Sequence, residues 1–400
     1  MIRLAVIGLG LRAASLIKLA MEIDREVVLS AVADPYPDVA RANLKNEGVD
    51  FSATRFVDTT DELIRHADDY DGWIVGTRCN LHTPIAVKLA PLGLPLFLEK
   101  PVSITTAQLE ELAEAFRDRD EKVVVSFPLR MTPLCQRVNE IVQSGRLGTI
   151  NQVVAFNDVP YGGVYFGQWY RDHETTGGLW LQKATHDFDY INHLLDARPM
   201  VIAATSTRKV YGGHEPADLR CSQCTKTELC PESPINILKR GDDGGMGQGD
   251  HACAFSESIR NQDAGSAMVM YDDATQLTYT QNFVSRRSAG RRGARITGYY
   301  ATLDFDWYTE SIRVIEHHGQ AVDQIHVPVA EGHHGGDHVL VKNFLHVIRG
   351  QAPSKATLQD GLLSTAMCLA ARESAATGSF QPIRVPGEMA HTRSCPSRMP

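Results

Sequence analysis

The sequence predicts an α/β protein of two unlike halves, and three observations carry that prediction. From residue 2 to residue 128 short apolar strand patterns alternate with helical ones, the grammar of a parallel sheet covered on both faces. A glycine-rich turn joins the first strand directly to the first helix. After Pro128 the alternation stops and strand patterns dominate, which predicts an α+β half built on a mostly antiparallel sheet. A chain of 400 residues exceeds what one core usually organises, so two domains are expected, 1–128 and 129–380, with a tail over 381–400.

In the first half the strands are read as Ile2 to Gly8, Val27 to Ala33, Trp73 to Gly76, Leu94 to Leu98 and Lys122 to Phe127. The helices between them are Leu11 to Asp24, Pro37 to Asn46, Thr60 to Ala67, Thr83 to Leu92 and Thr105 to Arg119. In the second half a helix at Pro133 to Ser144 precedes a long strand, Thr149 to Val159, and a loop dense in glycine and aromatics, Tyr161 to Arg171. A helix follows at Leu179 to Asp196, then strands including Met268 to Tyr271, Gln276 to Val284, Ala301 to Phe305 and Ile312 to His317. Helices at Asp337 to Arg349 and Gln359 to Thr377 close the fold, and Glu388 to Pro400 reads as a frayed tail.

Composition bounds the function. With 43% hydrophobic and 22% charged residues the chain reads as an ordinary globular protein, and no apolar run approaches a membrane span. A net charge of -8 without a basic stripe argues against nucleic acid, and the arginine-rich run Arg286 to Arg295 reads as a solvated strand edge or loop. The N-terminus enters a strand at once with no signal peptide, so the eight cysteines are expected as reduced thiols in the cytoplasm.

Gly8-Leu-Gly-Leu-Arg-Ala13 gives G-x-G-x-x-A between strand and helix, the context in which that pattern marks a dinucleotide site. Gly8 permits the tight turn, Gly10 lets backbone approach a pyrophosphate, and Leu11 and Arg12 open the helix whose N-terminus attracts it. Asp34 closes the second strand, where an acid would accept from the adenine ribose hydroxyls and repel a 2′-phosphate, favouring NAD over NADP. Thr77, Asn80 and His82 follow the third strand, and Glu99 and Lys100 end the fourth. All fall at the carboxyl ends of parallel strands, the edge where open α/β sheets bind ligands, and Lys100 is the first candidate for chemistry.

These residues, with Glu99-Lys100-Pro101 and Gly177-Gly178 ahead of His186, resemble the glucose-fructose oxidoreductase, inositol dehydrogenase and rhizopine-catabolism (Gfo/Idh/MocA) family over about residues 1 to 380. The resemblance implies a Rossmann domain paired with an open-faced sheet domain, bound NAD or NADP, and oxidation or reduction of a secondary alcohol on a sugar or cyclitol. It places Lys100 and His186 at the positions facing the reacting alcohol and implies a homodimer or homotetramer packed through the open sheet face. The acid usual four residues before the histidine is replaced by Gln182, followed by Lys183. Members with that lysine and His-Asp-Phe-Asp, here His186 to Asp189, form a subgroup, and NAD-dependent glycoside hydrolases also resemble the family.

Helical spacing puts Gln182, His186 and His193 on one stripe of the helix from Leu179, while Lys183 and Asp187, four apart, can pair. With Lys183 and His186 turned to a substrate, neighbouring cations would depress a lysine pKa and let it accept a proton. Tyr161, Tyr165 and Trp169 suit the apolar face of a pyranose or pack an interface, and Arg171 could grip an anionic group. Asp187 and His334 are further substrate candidates, and Asp337 is expected to cap the helix that follows His334. Cys221, Cys224 and Cys230, with Cys253 as a possible fourth and His214 or His251 as rivals, suit a structural zinc, free thiols or a disulfide.

Three functions follow as expectations. The first is a dehydrogenase using Lys100, His186 and Lys183 on a ring alcohol. The second is a redox-neutral NAD-dependent glycosidase, working by transient oxidation at C3, elimination, water addition and re-reduction on an anionic glycoside such as a sulfoquinovoside. The third is a non-catalytic sugar or dinucleotide sensor.

Overall fold

The computed structural model of the protein describes residues 1–241, 250–328 and 332–387; the tail expected over Glu388 to Pro400 lies outside the described residues. The described chain divides into two units. One holds 1–136, 332–366 and 384–387, and the other 137–328 and 367–383.

The first unit is a six-stranded parallel sheet of β1 (Ile2–Ile7), β2 (Val27–Ala33), β3 (Arg55–Val57), β4 (Gly72–Val75), β5 (Leu96–Leu98) and β6 (Val123–Val125), in the order 3-2-1-4-5-6. The inner strands are short valine-, leucine- and isoleucine-rich runs, and every residue of β4, β5 and β6 is buried, as a sheet covered on both faces requires. Strand β3 has no counterpart in the sequence reading. Its three residues are too few to show a period, and pairing with Ala31 to Ala33 of β2 is what makes them a strand. Helices Leu11–Ile23, Pro37–Glu47, His82–Leu89 and Thr106–Ala115 connect the strands, the last begun by Thr105 accepting from the Gln108 amide. Helix Gly336–Ile348 belongs to the same unit. Phe344 meets Phe97 of β5 edge to face at 5.5 Å, and the Ile348 side chain fills the space beside Gly72 of β4. Burying Phe344 contributes about 2–3 kcal/mol.

The second unit carries a nine-stranded sheet: β7 (Ile150–Asp158), β8 (Pro199–Thr207), β9 (Ala264–Tyr271), β10 (Gln276–Asn282), β11 (Arg291–Gly298), β12 (Ala301–Asp306), β13 (Ser311–Glu316), β14 (Val322–His326) and β15 (Gln381–Pro382). Their order is 14-13-12-11-7-10-9-8-15, antiparallel except where β10 meets β7. Strand β9 alternates buried and exposed along its length. Its inward residues and those of β10 and β12 pack on the segment Trp180–Leu195, with Phe188 on Tyr279 at 5.2 Å and Tyr190 on Phe305 at 6.1 Å. Val154, Met268 and Met270 lie exposed on the sheet.

The arginine-rich run keeps Arg287, Arg291 and Arg295 exposed, as its solvated reading expects, and departs from that reading at Arg292. Arg291 begins β11, an interior strand between β12 and β7, and Arg292 is only 7% exposed. The segment from Leu179 also departs from a uniform helix, opening with a π-helical stretch over Trp180–Ala184 before α-helix Thr185–Leu195. Asp337 is not a cap, because Gly335 takes the cap position and Asp337 sits in the first turn.

Candidate active site

In the first unit the turn after β1 is built as a dinucleotide turn. Gly8 has φ of 78°, and a Cβ there would lie 2.5 Å from Thr77 Cγ2 and 2.7 Å from Thr77 Cα, so only glycine fits. A Cβ on Gly10 would meet nothing within 4 Å, which leaves its backbone open to a ligand. Leu11 is exposed at the helix start. The Asp34 carboxylate accepts from the Leu9 amide at 2.8 Å through Oδ2 and from the Tyr36 amide at 2.8 Å through Oδ1. Each oxygen keeps a lone pair for a ribose hydroxyl. Asn43, which the sequence reading missed, donates to the Leu9 carbonyl at 3.1 Å and clamps the same turn. These residues fit the adenosine and pyrophosphate of NAD.

The other strand-end candidates lie on the same edge, after β4 and β5. His82 is buried, with Nδ1 2.7 Å from the Pro101 carbonyl and Nε2 3.1 Å from the Thr77 carbonyl. It ties the loop after β4 to the Glu99-Lys100-Pro101 turn after β5, whose Lys100–Pro101 peptide is cis. Burial holds the His82 pKa below its ordinary value. The Asn80 carbonyl accepts from Gln108 at 2.9 Å, fixing that loop to the next helix. Lys100 is half-buried at the turn.

Arg12 is held by the protein's own acids. Its Nε donates to Glu99 at 3.2 Å and its two terminal nitrogens to Asp337 at 2.7 and 2.6 Å. His333 Nδ1 lies 2.9 Å from the same Asp337 carboxylate. His334, next to it, has a left-handed backbone with φ of 57°. Burial opposes the charge on Asp337, but His333 and Arg12 overcome it and hold the carboxyl well below its usual range.

In the second unit Lys183 and the tyrosines come together. Lys183 is 5% exposed, donates to the Tyr161 hydroxyl, and sits 4.4 Å from the Tyr161 ring centre and 5.4 Å from that of Tyr165. Burial lowers the Lys183 pKa, and Arg292 adds repulsion. Tyr165 is buried, while Tyr161 is only half-buried. His186 is buried in the first turn of helix Thr185–Leu195.

Asp187 turns to the sheet and away from a lysine partnership. Its fully buried carboxylate accepts from Arg292 Nε, Asn157 Nδ2 and the Tyr279 hydroxyl, each at 2.7 Å. Burial disfavours the Arg292 charge, and Asp187 more than offsets this, keeping the guanidinium pKa above its ordinary value. Reasoning from sequence missed Arg292, Asn157 and Tyr279; their alternation along strands was visible, their common partner was not. Trp169 stacks on Tyr170 at 3.8 Å, and Arg171 donates to Ser256 and, at 2.7 Å, to Ser258. Cys221, Cys224, Cys230 and Cys253 line one small cavity and form no disulfide.

Among the described residues no helix is long and apolar enough to cross a membrane. The family model of the NAD-binding Rossmann domain of this oxidoreductase family matches residues 2–127, and that of its C-terminal α/β domain matches 139–385. YteT of Bacillus subtilis strain 168, which its name assigns to the oxidoreductases, is 28% identical over 317 residues, 70% of this chain and 72% of its own. Inositol 2-dehydrogenase of Rhizobium meliloti strain 1021 is 25% identical over 206 residues, 51% of this chain and 58% of its own. A solved levoglucosan dehydrogenase in complex with NADH and L-sorbose superposes with TM-score 0.75 at 16% identity, covering 96% of this chain and 99% of that one, a likeness of fold. With both domain models matched along nearly its whole length, the chain belongs to the Gfo/Idh/MocA oxidoreductase family and carries that family's NAD-binding Rossmann domain.

Proposed function

We propose that the protein is an NAD-dependent dehydrogenase that oxidises a ring secondary alcohol of a sugar or cyclitol. The observation that carries this reading is the Lys183–Tyr161–Tyr165 group. A buried ammonium with lowered pKa, held under two tyrosine rings, combines a proton-active nitrogen with the aromatic surface that sugar faces prefer. The names of inositol 2-dehydrogenase and levoglucosan dehydrogenase among the relatives support a polyhydroxylated ring as substrate.

NAD would be held by Gly8, Gly10 and Asp34, and it supplies the hydride acceptor. Lys100 takes the proton of the reacting hydroxyl as the carbon loses hydride. His186 and Lys183 hold substrate hydroxyls and exchange protons with them, and the carboxylate at Asp34 disfavours a 2′-phosphate. Arg171, already bonded to two serines, shapes the loop and is assigned to an acidic substituent where the substrate carries one. The exposed Val154, Met268 and Met270 support packing of the sheet against a second copy, which sedimentation would measure.

The test is turnover of the purified protein on a panel of free sugars, cyclitols and aryl glycosides, acidic ones included, following NADH absorbance and aglycone release together. Stoichiometric NADH from a free sugar or cyclitol is expected. Aglycone release without net NADH would replace this reading with the redox-neutral glycosidase, and NAD binding with no turnover on any substrate would leave a sensor. Lys100→Ala should abolish turnover with NAD affinity within about twofold of wild type; a fully active variant overturns the role given to Lys100.

A further inference from the structure

We propose that Cys221, Cys224, Cys230 and Cys253 form a tetrathiolate site for a structural zinc ion, and that this site sets the aromatic loop Tyr161–Arg171. Between Lys209 and Gly241 only Tyr211, Ser233 and Ile237 are buried, so this long segment lacks a core of its own and needs another tie. Its backbone is already folded around the four sulfurs. Cys221 and Cys224 flank a tight turn closed by the Cys224 amide on the Cys221 carbonyl at 3.3 Å. The Cys221 amide donates to His251 and the Cys253 amide to Leu219, both at 2.8 Å, so an antiparallel bridge sets Cys253 beside that turn. Asn236 fixes the Cys230 carbonyl at 2.8 Å and that of Glu228 at 2.9 Å, bringing the third segment in.

The sulfurs are also supplied with donors. Cys224 Sγ accepts from the amide of Lys226, two residues on, at 3.4 Å; Cys230 and Cys253 accept in the same way from the amides of Glu232 and Phe255. Three cysteines with the same i+2 amide on sulfur have their side chains oriented by their own backbone. The cavity that the four line together with Thr227, Glu232, Ser233, Ala254 and Phe255 is about 20 Å³, room for one water-sized sphere. Arg171 stands close enough to Cys253 to offset part of the negative charge of a zinc tetrathiolate, while Lys226, near Cys224, is paired with Glu215. Among the described residues no three His, Cys, Asp or Glu side chains already converge in metal-holding geometry, so the four sulfurs close on the ion only as it binds. In balance, Zn²⁺ and four thiols give the tetrathiolate and four protons released to solvent, with no redox change.

The link to the aromatic loop is direct. The Ala252 amide, next to Cys253, donates to the Gly167 carbonyl at 3.0 Å, and Asn261 holds the carbonyls of Tyr165 and Tyr170 at 3.2 and 2.9 Å. The test is metal analysis of the full-length protein purified without chelator, followed by cobalt(II) titration of chelator-stripped protein. Stoichiometric zinc is expected, together with the visible bands of tetrahedral cobalt and thiolate-to-cobalt charge transfer in the near ultraviolet. Cys224→Ser should weaken cobalt binding by roughly tenfold or more, and the wild-type titration keeps the test valid should that variant fold poorly. Stripped protein should show a raised KM for its sugar and an unchanged Kd for NAD. Protein free of zinc that gives no thiolate–cobalt spectrum, or a disulfide among these four cysteines in fresh protein, overturns the proposal. The metal readouts hold whether or not a sugar substrate is found, so this proposal and the dehydrogenase reading fail separately.

Discussion

Replacing Lys183 by methionine should stabilise the second unit while abolishing turnover. The Lys183 ammonium gains one hydrogen bond to Tyr161, on the order of 1.5–3 kcal/mol for a charged donor, and a desolvated cation–π contact, about 2 kcal/mol. Against these stands a burial cost of several kcal/mol per ion, and the lowered pKa of Lys183 shows that burial wins over its partners. A methionine of similar length keeps the stem's packing and removes the charge. Tyr161, half-buried, can turn its hydroxyl to water and so leaves no stranded polar atom. The expected gain is about 1 kcal/mol at neutral pH.

The pH dependence has a definite sign. Because Lys183 has a lower pKa folded than unfolded, the unfolded chain binds more protons between the two values, and wild-type stability rises with pH across that window. The methionine advantage is therefore full below the folded pKa and shrinks as pH climbs through it toward the ordinary lysine value near ~10.4. Urea unfolding of both proteins at neutral and alkaline pH, followed by circular dichroism, measures it. A variant destabilised by more than about 1 kcal/mol would show that Lys183 is a structural tie, and the assignment to function would fail with it.

Three further outcomes are expected. Arg292→Leu strands the buried Asp187 carboxylate on two neutral donors and should cost about 3–5 kcal/mol in urea unfolding, with NAD affinity unchanged; a cost under about 1 kcal/mol would contradict the pairing. Gly8→Ala combines a left-handed backbone with a Cβ driven against Thr77, which should cost about 2–5 kcal/mol and weaken NAD binding at least tenfold by calorimetry. Asp337→Asn should cost about 2 kcal/mol at neutral pH. Since the Asp337 pKa is depressed in the folded state, its contribution is present above the ordinary carboxylate value and fades as pH falls toward the folded one. The gap to wild type should therefore narrow below about pH 4.

What the sequence determined by itself is local. Gly8, Gly10 and Asp34 announce a dinucleotide turn because strand, turn, helix and acid are near neighbours in the chain, and the shape of each step is set by short-range backbone physics. Glu99-Lys100-Pro101 was legible for the same reason, as a polar stop to an apolar run. The pairing of β3 with β2 was not, since three residues carry no period. Nor was the burial of Arg292. A run of arginines reads as solvated until its partner is known, and Asp187 lies 105 residues away. Arg12, which looked like a cofactor contact, lies 325 residues from the Asp337 that holds it. The sequence thus marked which backbone turns are shaped for a dinucleotide; the tertiary structure alone decided which charges are neutralised inside the protein, because Coulomb energy depends on distance in space and on local burial, neither of which is written along the chain.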